Sequence, residues 1–178
     1  MSELLTRAKK GDKKAFEELI QPIEIKLYKT ARVFFTVEKD VLKVIKETTK
    51  EVFKEIVNVK NEHALLCLSL KFLIQISEKQ ARKNDMKKAK IDKDIKAQNK
   101  VEYDIYRRDS LLEAYITNLK KELRLISVLY FYDGLTAKEI GKILKISESN
   151  ATIVIDEARK QLYEMILYEG VKKYNEYV

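Results

Sequence analysis

The sequence predicts an all-α protein of two small helical domains joined by a charged linker. Three observations point there. Gly occurs 4 times and Pro once in 178 residues, too little turn punctuation for a sandwich or barrel. Apolar residues make up 46% of the chain and recur at helical spacing, which suits packed cores rather than disorder. The net charge of +8 is unevenly placed: residues 1–78 carry 15 basic and 12 acidic groups, 79–109 carry 11 and 6, and 110–178 carry 10 and 10. The basic excess lies in the middle, so a basic linker at 84–108 is expected to separate domains at 1–83 and 109–178.

In chain order, Asp12 after Gly11 is placed to N-cap a helix with Phe16, Leu19, Ile20, Ile23 and Leu27 on its apolar face. Pro22 is expected to kink or restart it. A second helix spans Asp40 to Val57, with Val41, Val44, Ile45, Thr48, Val52, Phe53 and Ile56 inward. A third runs from about Glu62 to Arg82; its "ALLCLSLKFLIQI" is apolar nearly all round, which predicts burial between neighbours. From Lys83 to Lys100 the only large apolar residues are Met86, Ile91 and Ile95, so this stretch reads as a mobile linker or a loosely packed helix.

The second domain begins with a helix over about Ser110–Phe131, carrying Leu111, Leu112, Ala114, Tyr115, Leu119, Leu123, Ile126 and Leu129, and ending at Asp133-Gly134. Thr136 and Glu139 have the spacing of a capping box. Behind them Ile140, Ile143 and Leu144 form an inner face, and Gly141 leaves room for a crossing helix. After the turn Lys145-Ile146-Ser147, Ser147 caps a helix with Ala151, Ile155, Ala158 and Leu162 inward. Two short helices, a tight turn and a small residue at the crossing describe a helix-turn-helix, although an ordinary αα-hairpin has the same periodicity. The tyrosines of the tail, "LYEMILYEGVKKYNEYV", are taken as core packing followed by a frayed end.

Catalysis finds little footing. The one histidine, His63, stands beside Glu62 at a helix start, where a solvated or capping role is expected. No Cys/His cluster shows metal-ligand spacing and no Gly-rich loop offers a phosphate cradle. We therefore expect no enzyme, no metal and no cofactor. The sole cysteine, Cys67, lies in an apolar run and is read as a small buried hydrophobe. No run approaches ~20 apolar residues and the N-terminus lacks a signal-peptide core, so a cytoplasmic protein is expected.

Two stretches carry a resemblance. "LISVLYFYDGLTAKEIGKILKISESNATIVIDEARKQL" is similar to the fourth region of the small bacterial RNA polymerase sigma factors of the extracytoplasmic-function type. That region usually reads Gly-Leu-Ser/Thr-x-x-Glu-Ile-Ala, then Leu-Gly-Ile-Ser-x-x-Thr-Val, then Ala-Arg-x-x-Leu. "LLTRAKKGDKKAFEELIQPIEIKLYKTARVFF" resembles the start of the family's second region, at Gly11-Asp12, Ala15-Phe16, Glu18-Leu19, Leu27-Tyr28 and Ala31. The resemblance covers nearly the whole chain, in the right order.

It implies a transcription initiation factor with core RNA polymerase and promoter DNA as partners, silenced by an anti-sigma protein that is often anchored in the membrane. On this reading Asp40, Lys43, Lys46 and Glu47 contact the polymerase, although Lys43 and Lys46 replace the family's usual Asp and Gln. Lys71, Gln75, Lys79, Arg82 and Lys83 face the −10 element; the family's usual Trp is absent here. Ser149, Asn150, Thr152 and Ile153 read the −35 element, with Lys138, Lys142, Arg159 and Lys160 near phosphate. From Leu135 to Leu162 five basic residues meet four acids, few for independent DNA binding but sufficient for a domain tethered to a polymerase. The alternative is a free-standing helix-turn-helix regulator that does not act through core polymerase and dimerises through its tail.

Overall fold

The computed structural model describes residues 2–91 and 111–176, and these form helices and turns with no strand. The chain divides into two compact units, Met1–Asn99 and Lys100–Val178.

In the first unit, α1 (Glu3–Lys9) and α2 (Lys13–Arg32) meet at a tight corner. Ser2 and Asp12 cap them by accepting from the amides of Leu5 and Ala15, and Gly11 turns the chain at φ +91°, where a side chain would be strained. The Ala15 amide, then the Arg7 guanidinium at 2.7 Å, hold the Asp12 carboxyl below its ordinary pKa. The helix does not restart at Pro22: α2 runs through it. Pro22 and Glu18, whose carbonyl loses its helical donor, are both exposed, so solvent substitutes for the missing N–H.

The chain then forms α3 (Glu38–Glu55), a 3₁₀ turn at Ile56–Asn58, and α4 (Glu62–Ile91). The helix α4 packs against both α2 and α3, which explains a sequence that is apolar on most sides. Leu27, Val41, Val44, Val52, Leu65, Leu70 and Leu73 lose all solvent contact, each worth about 1.5–3 kcal/mol. Thr48 joins them at no polar cost, because its hydroxyl donates to the Val44 carbonyl at 2.7 Å. Phe16 and Phe53 meet edge to face, centroids 4.9 Å apart. Helix α4 continues past Arg82 to Ile91, with Met86 exposed; the remainder of the 84–108 stretch lies outside the described residues. Cys67 is only half-buried, a correction to its expected burial: it sits beside exposed His63 at the edge of α4 rather than on the stripe facing α2 and α3.

In the second unit the helix expected over Ser110–Phe131 is broken. The pieces are α5 (Leu111–Asn118), α6 (Lys121–Ser127) and a π-helical turn at Val128–Tyr132. Lys120 is extended at ψ 146°, and Leu119 drops into the core at 1% exposure. Both α5 and α6 lie against α8 (Glu148–Glu176), and a straight helix would not bring both onto it. The Arg124 side chain satisfies the carbonyl left at the break, donating to Leu119 at 2.7 Å. Gly134, at φ +76°, then redirects the chain, and the Leu135 amide returns to the Leu129 carbonyl.

The turn into α7 (Ala137–Leu144) carries the capping box as read: Thr136 accepts from the Glu139 amide, and Glu139 accepts from the Thr136 amide. Ala151, Ile155, Ala158 and Leu162 of α8 are buried against α6 and α7. Gly141 is needed for a closer neighbour than a crossing helix: a Cβ there would stand 2.9 Å from the backbone oxygen of Ile146 in the turn itself. Two of the tail tyrosines depart from expectation, while the side chains from 169 on lie outside the described ones. Tyr163 and Tyr168 are 62% and 74% exposed, because the inward stripe of α8 passes through Leu162 and not through them.

Candidate nucleic-acid interface and the surfaces around it

The left-handed cap at Lys145 sets the direction of α8. Its φ of 60° is the conformation that favours glycine, and it falls where the resembled pattern has one. Ser147 then accepts from the Asn150 amide at 3.1 Å, so the first turn of α8 is capped and its side chains project from a fixed base. Ser149, Asn150, Thr152 and Ile153 are all exposed, Ile153 at 65%. An apolar side chain standing in water on a helix end has a contact role open to it, such as a thymine methyl.

The groups expected near phosphate divide. Lys138 and Lys142 lie one turn apart on the exposed side of α7, and Lys160 is exposed on α8. Arg159 is engaged: it pairs with Asp156 at 2.6 Å, lies 5.9 Å from the centre of the Tyr130 ring, and donates to the Tyr130 hydroxyl at 3.4 Å. The Thr152 hydroxyl donates to the Glu148 carbonyl at 3.0 Å, leaving it an acceptor toward anything outside.

On the first unit, Lys71, Gln75, Lys79, Arg82 and Lys83 are exposed along one side of α4, as their spacing requires. Glu78 shares that side, so the surface is basic but mixed. The four α3 residues do not form one patch. Asp40 accepts from Asn84 at 3.1 Å and Lys43 donates to Gln80 at 3.0 Å, both clamped onto α4. Glu47 faces Lys79 and Lys83 across a cleft of about 340 Å³. Lys46 turns the other way, into a groove of about 470 Å³ between α2 and α3. Phe16, Ile20, Leu42, Ile45 and Phe53 line that groove, and Leu42 is 52% exposed. Leu42 is not among the residues the sequence pattern singles out. Its signal was there: a leucine off the inward stripe Val41, Val44, Thr48, Val52.

Residues 116–164 match the family model described as Sigma-70, region 4, which spans the end of α5 through the first half of α8. No curated protein matches the chain. Among solved structures it is similar to CnrH in complex with the cytosolic domain of CnrY, at 17% identity, covering 92% of this chain and 94% of that one, with a TM-score of 0.62. It is also similar to the sigma factor RpoE in complex with the anti-sigma factor NepR from Bartonella quintana, at 14% identity, 86% and 97% coverage, and a TM-score of 0.69. At these identities the likeness is one of fold, and it extends through both helical units.

Proposed function

We propose that this protein is an alternative sigma factor: it binds core RNA polymerase and directs promoter-specific initiation. One observation carries the reading. A capped helix-turn-helix matching Sigma-70 region 4 presents Ser149, Asn150, Thr152 and Ile153 outward, in a chain whose fold follows a known sigma factor over nearly its full length. In this role the second unit, from about residue 109, reads the −35 element through the start of α8, and Lys138, Lys142 and Lys160 approach phosphate. The first, through about residue 83, docks on polymerase through α3 and turns the exposed side of α4 toward the −10 element. The α2–α3 groove supplies the apolar part of that docking, with Lys46 at its edge.

The near-neutral helix-turn-helix fits the same scheme, since a tethered domain needs little affinity of its own. The protein works by binding, with no reaction of its own. RpoE is bound by an anti-sigma factor, and we assign this chain a partner of that kind. Among the described residues no helix is long and apolar enough to cross a membrane; a cytoplasmic site of action is part of the proposal.

Titration of the purified protein against bacterial core RNA polymerase, followed by native size analysis, tests the proposal. A tight one-to-one complex is expected. No complex, with the protein eluting as a dimer that shifts DNA unaided, would replace it with the free-standing regulator.

A further inference from the structure

We propose that His63 and Cys67 form a two-donor binding site for a soft or borderline divalent cation of the zinc type. They are the chain's one histidine and one cysteine, and the fold sets them together within the first two turns of α4. Four positions apart, they share a helix face, with His63 Nε2 and Cys67 Sγ separated by 3.7 Å. Tetrahedral zinc, with bonds of about 2.3 Å to sulfur and about 2.0–2.1 Å to nitrogen, needs a sulfur-to-nitrogen distance of about 3.6 Å. A hydrogen-bonding contact between the two donors already holds them at chelating distance. His63 is exposed and Cys67 half-buried, which gives an ion access from solvent.

A thiolate with an imidazole selects zinc-type ions over magnesium or calcium, which prefer oxygen ligands. On binding, the sulfur–metal bond replaces the Cys67 S–H bond and its proton passes to solvent; the imidazole binds neutral through Nε2, and no electron is transferred. The pair supplies two of the four donors that tetrahedral zinc takes. The chelate ties the first turns of α4, the helix that goes on to carry Lys71, Gln75 and Lys79, but the site stands independently of the transcription reading.

The test is titration of the reduced full-length protein with Co²⁺ as a spectroscopic probe, followed by Zn²⁺ competition. The expected result is a cobalt–thiolate absorption band that Zn²⁺ removes. The band should be absent in Cys67→Ser, and binding should be at least about tenfold weaker in His63→Ala. Neither side chain is in the core, and circular dichroism confirms that both variants keep the helical fold. No thiolate band in the unsubstituted protein, or a His63→Ala variant that binds as tightly, overturns the proposal.

Discussion

The carboxylate of Asp40 and the side-chain amide of Asn84, 44 positions apart, meet at 3.1 Å and tie the first turn of α3 to the second half of α4. One turn further along α3, Lys43 donates to Gln80, and Gln80 in turn donates to Asn84 at 2.8 Å. These bonds tie two of the residues read as polymerase contacts to α4, Asp40 half-buried and Lys43 exposed, so loss of the Asp40 bond is felt first as stability.

Asn84→Ala and Asp40→Ala should each destabilise the protein by about 1 kcal/mol, as expected for a part-buried bond with one charged partner. The double variant should lose less than the sum, because the two changes remove one shared interaction. Urea unfolding of the four proteins checks this; strict additivity would show that the pair does not interact in solution.

Leu42→Glu should weaken core polymerase binding at least about tenfold while leaving the unfolding midpoint nearly unchanged. The side chain is 52% exposed and lines the α2–α3 groove, so it contributes little to the core but places a charge where an apolar partner surface would dock. Unchanged polymerase affinity would move docking off this groove.

Asn150→Ala should lower promoter-specific transcription roughly tenfold, the scale of one lost base contact, with polymerase binding intact. Thr152→Ala should cost less, since the Thr152 hydroxyl proton is already committed to the Glu148 carbonyl. Parallel loss of polymerase binding in either variant would mean that the start of α8 is not the reading surface.

Two substitutions in the helix-turn-helix should move stability in opposite directions. Gly141→Ala forces a Cβ against the Ile146 backbone oxygen at 2.9 Å and should cost about 1–3 kcal/mol, because backbone cannot swing aside. Lys145→Gly relieves a left-handed residue at φ 60° and should add up to about 1 kcal/mol. Thermal unfolding distinguishes them; a lower midpoint for Lys145→Gly would contradict the cap geometry.

Asp12→Asn should narrow its stability gap to the parent protein as pH falls below about 4. The Asp12 pKa is lowered in the fold by the Ala15 amide and then by Arg7. Its contribution is therefore fully present above the unfolded carboxylate pKa and lost as pH falls through the folded one. Asn keeps the capping oxygen but does not titrate. Unfolding curves across pH 2–7 that stay parallel would show that the cap owes nothing to the charge.

How much was legible follows from the range of each interaction. The Thr136–Glu139 box, the Asp12 and Ser147 caps and the inward row Ala151, Ile155, Ala158, Leu162 are bonds and spacings between residues three or four apart, and each stands as read. The break at Leu119–Lys120 was not legible. Its residues continue a helical pattern, and only the packing of α5 and α6 onto α8 favours the bend. The His63–Cys67 pair has ordinary helical spacing; His63 is exposed as expected, and what the fold added was a half-buried Cys67 at the edge of α4 in place of expected burial.

The sequence by itself determined the all-α class, the caps, the core faces and the likeness of its head and tail to a sigma factor, since helix signals are local and repeat with the turn. Only the tertiary structure decided how the polar residues of α3 are shared. Asp40 and Lys43 bond to α4, Glu47 lines a cleft with Lys79 and Lys83, and Lys46 lies beside Leu42 in an apolar groove. The reason is that a helix face acquires its role from what packs against it, and the partners here, Asn84 and Gln80 above all, lie about 40 residues away along the chain.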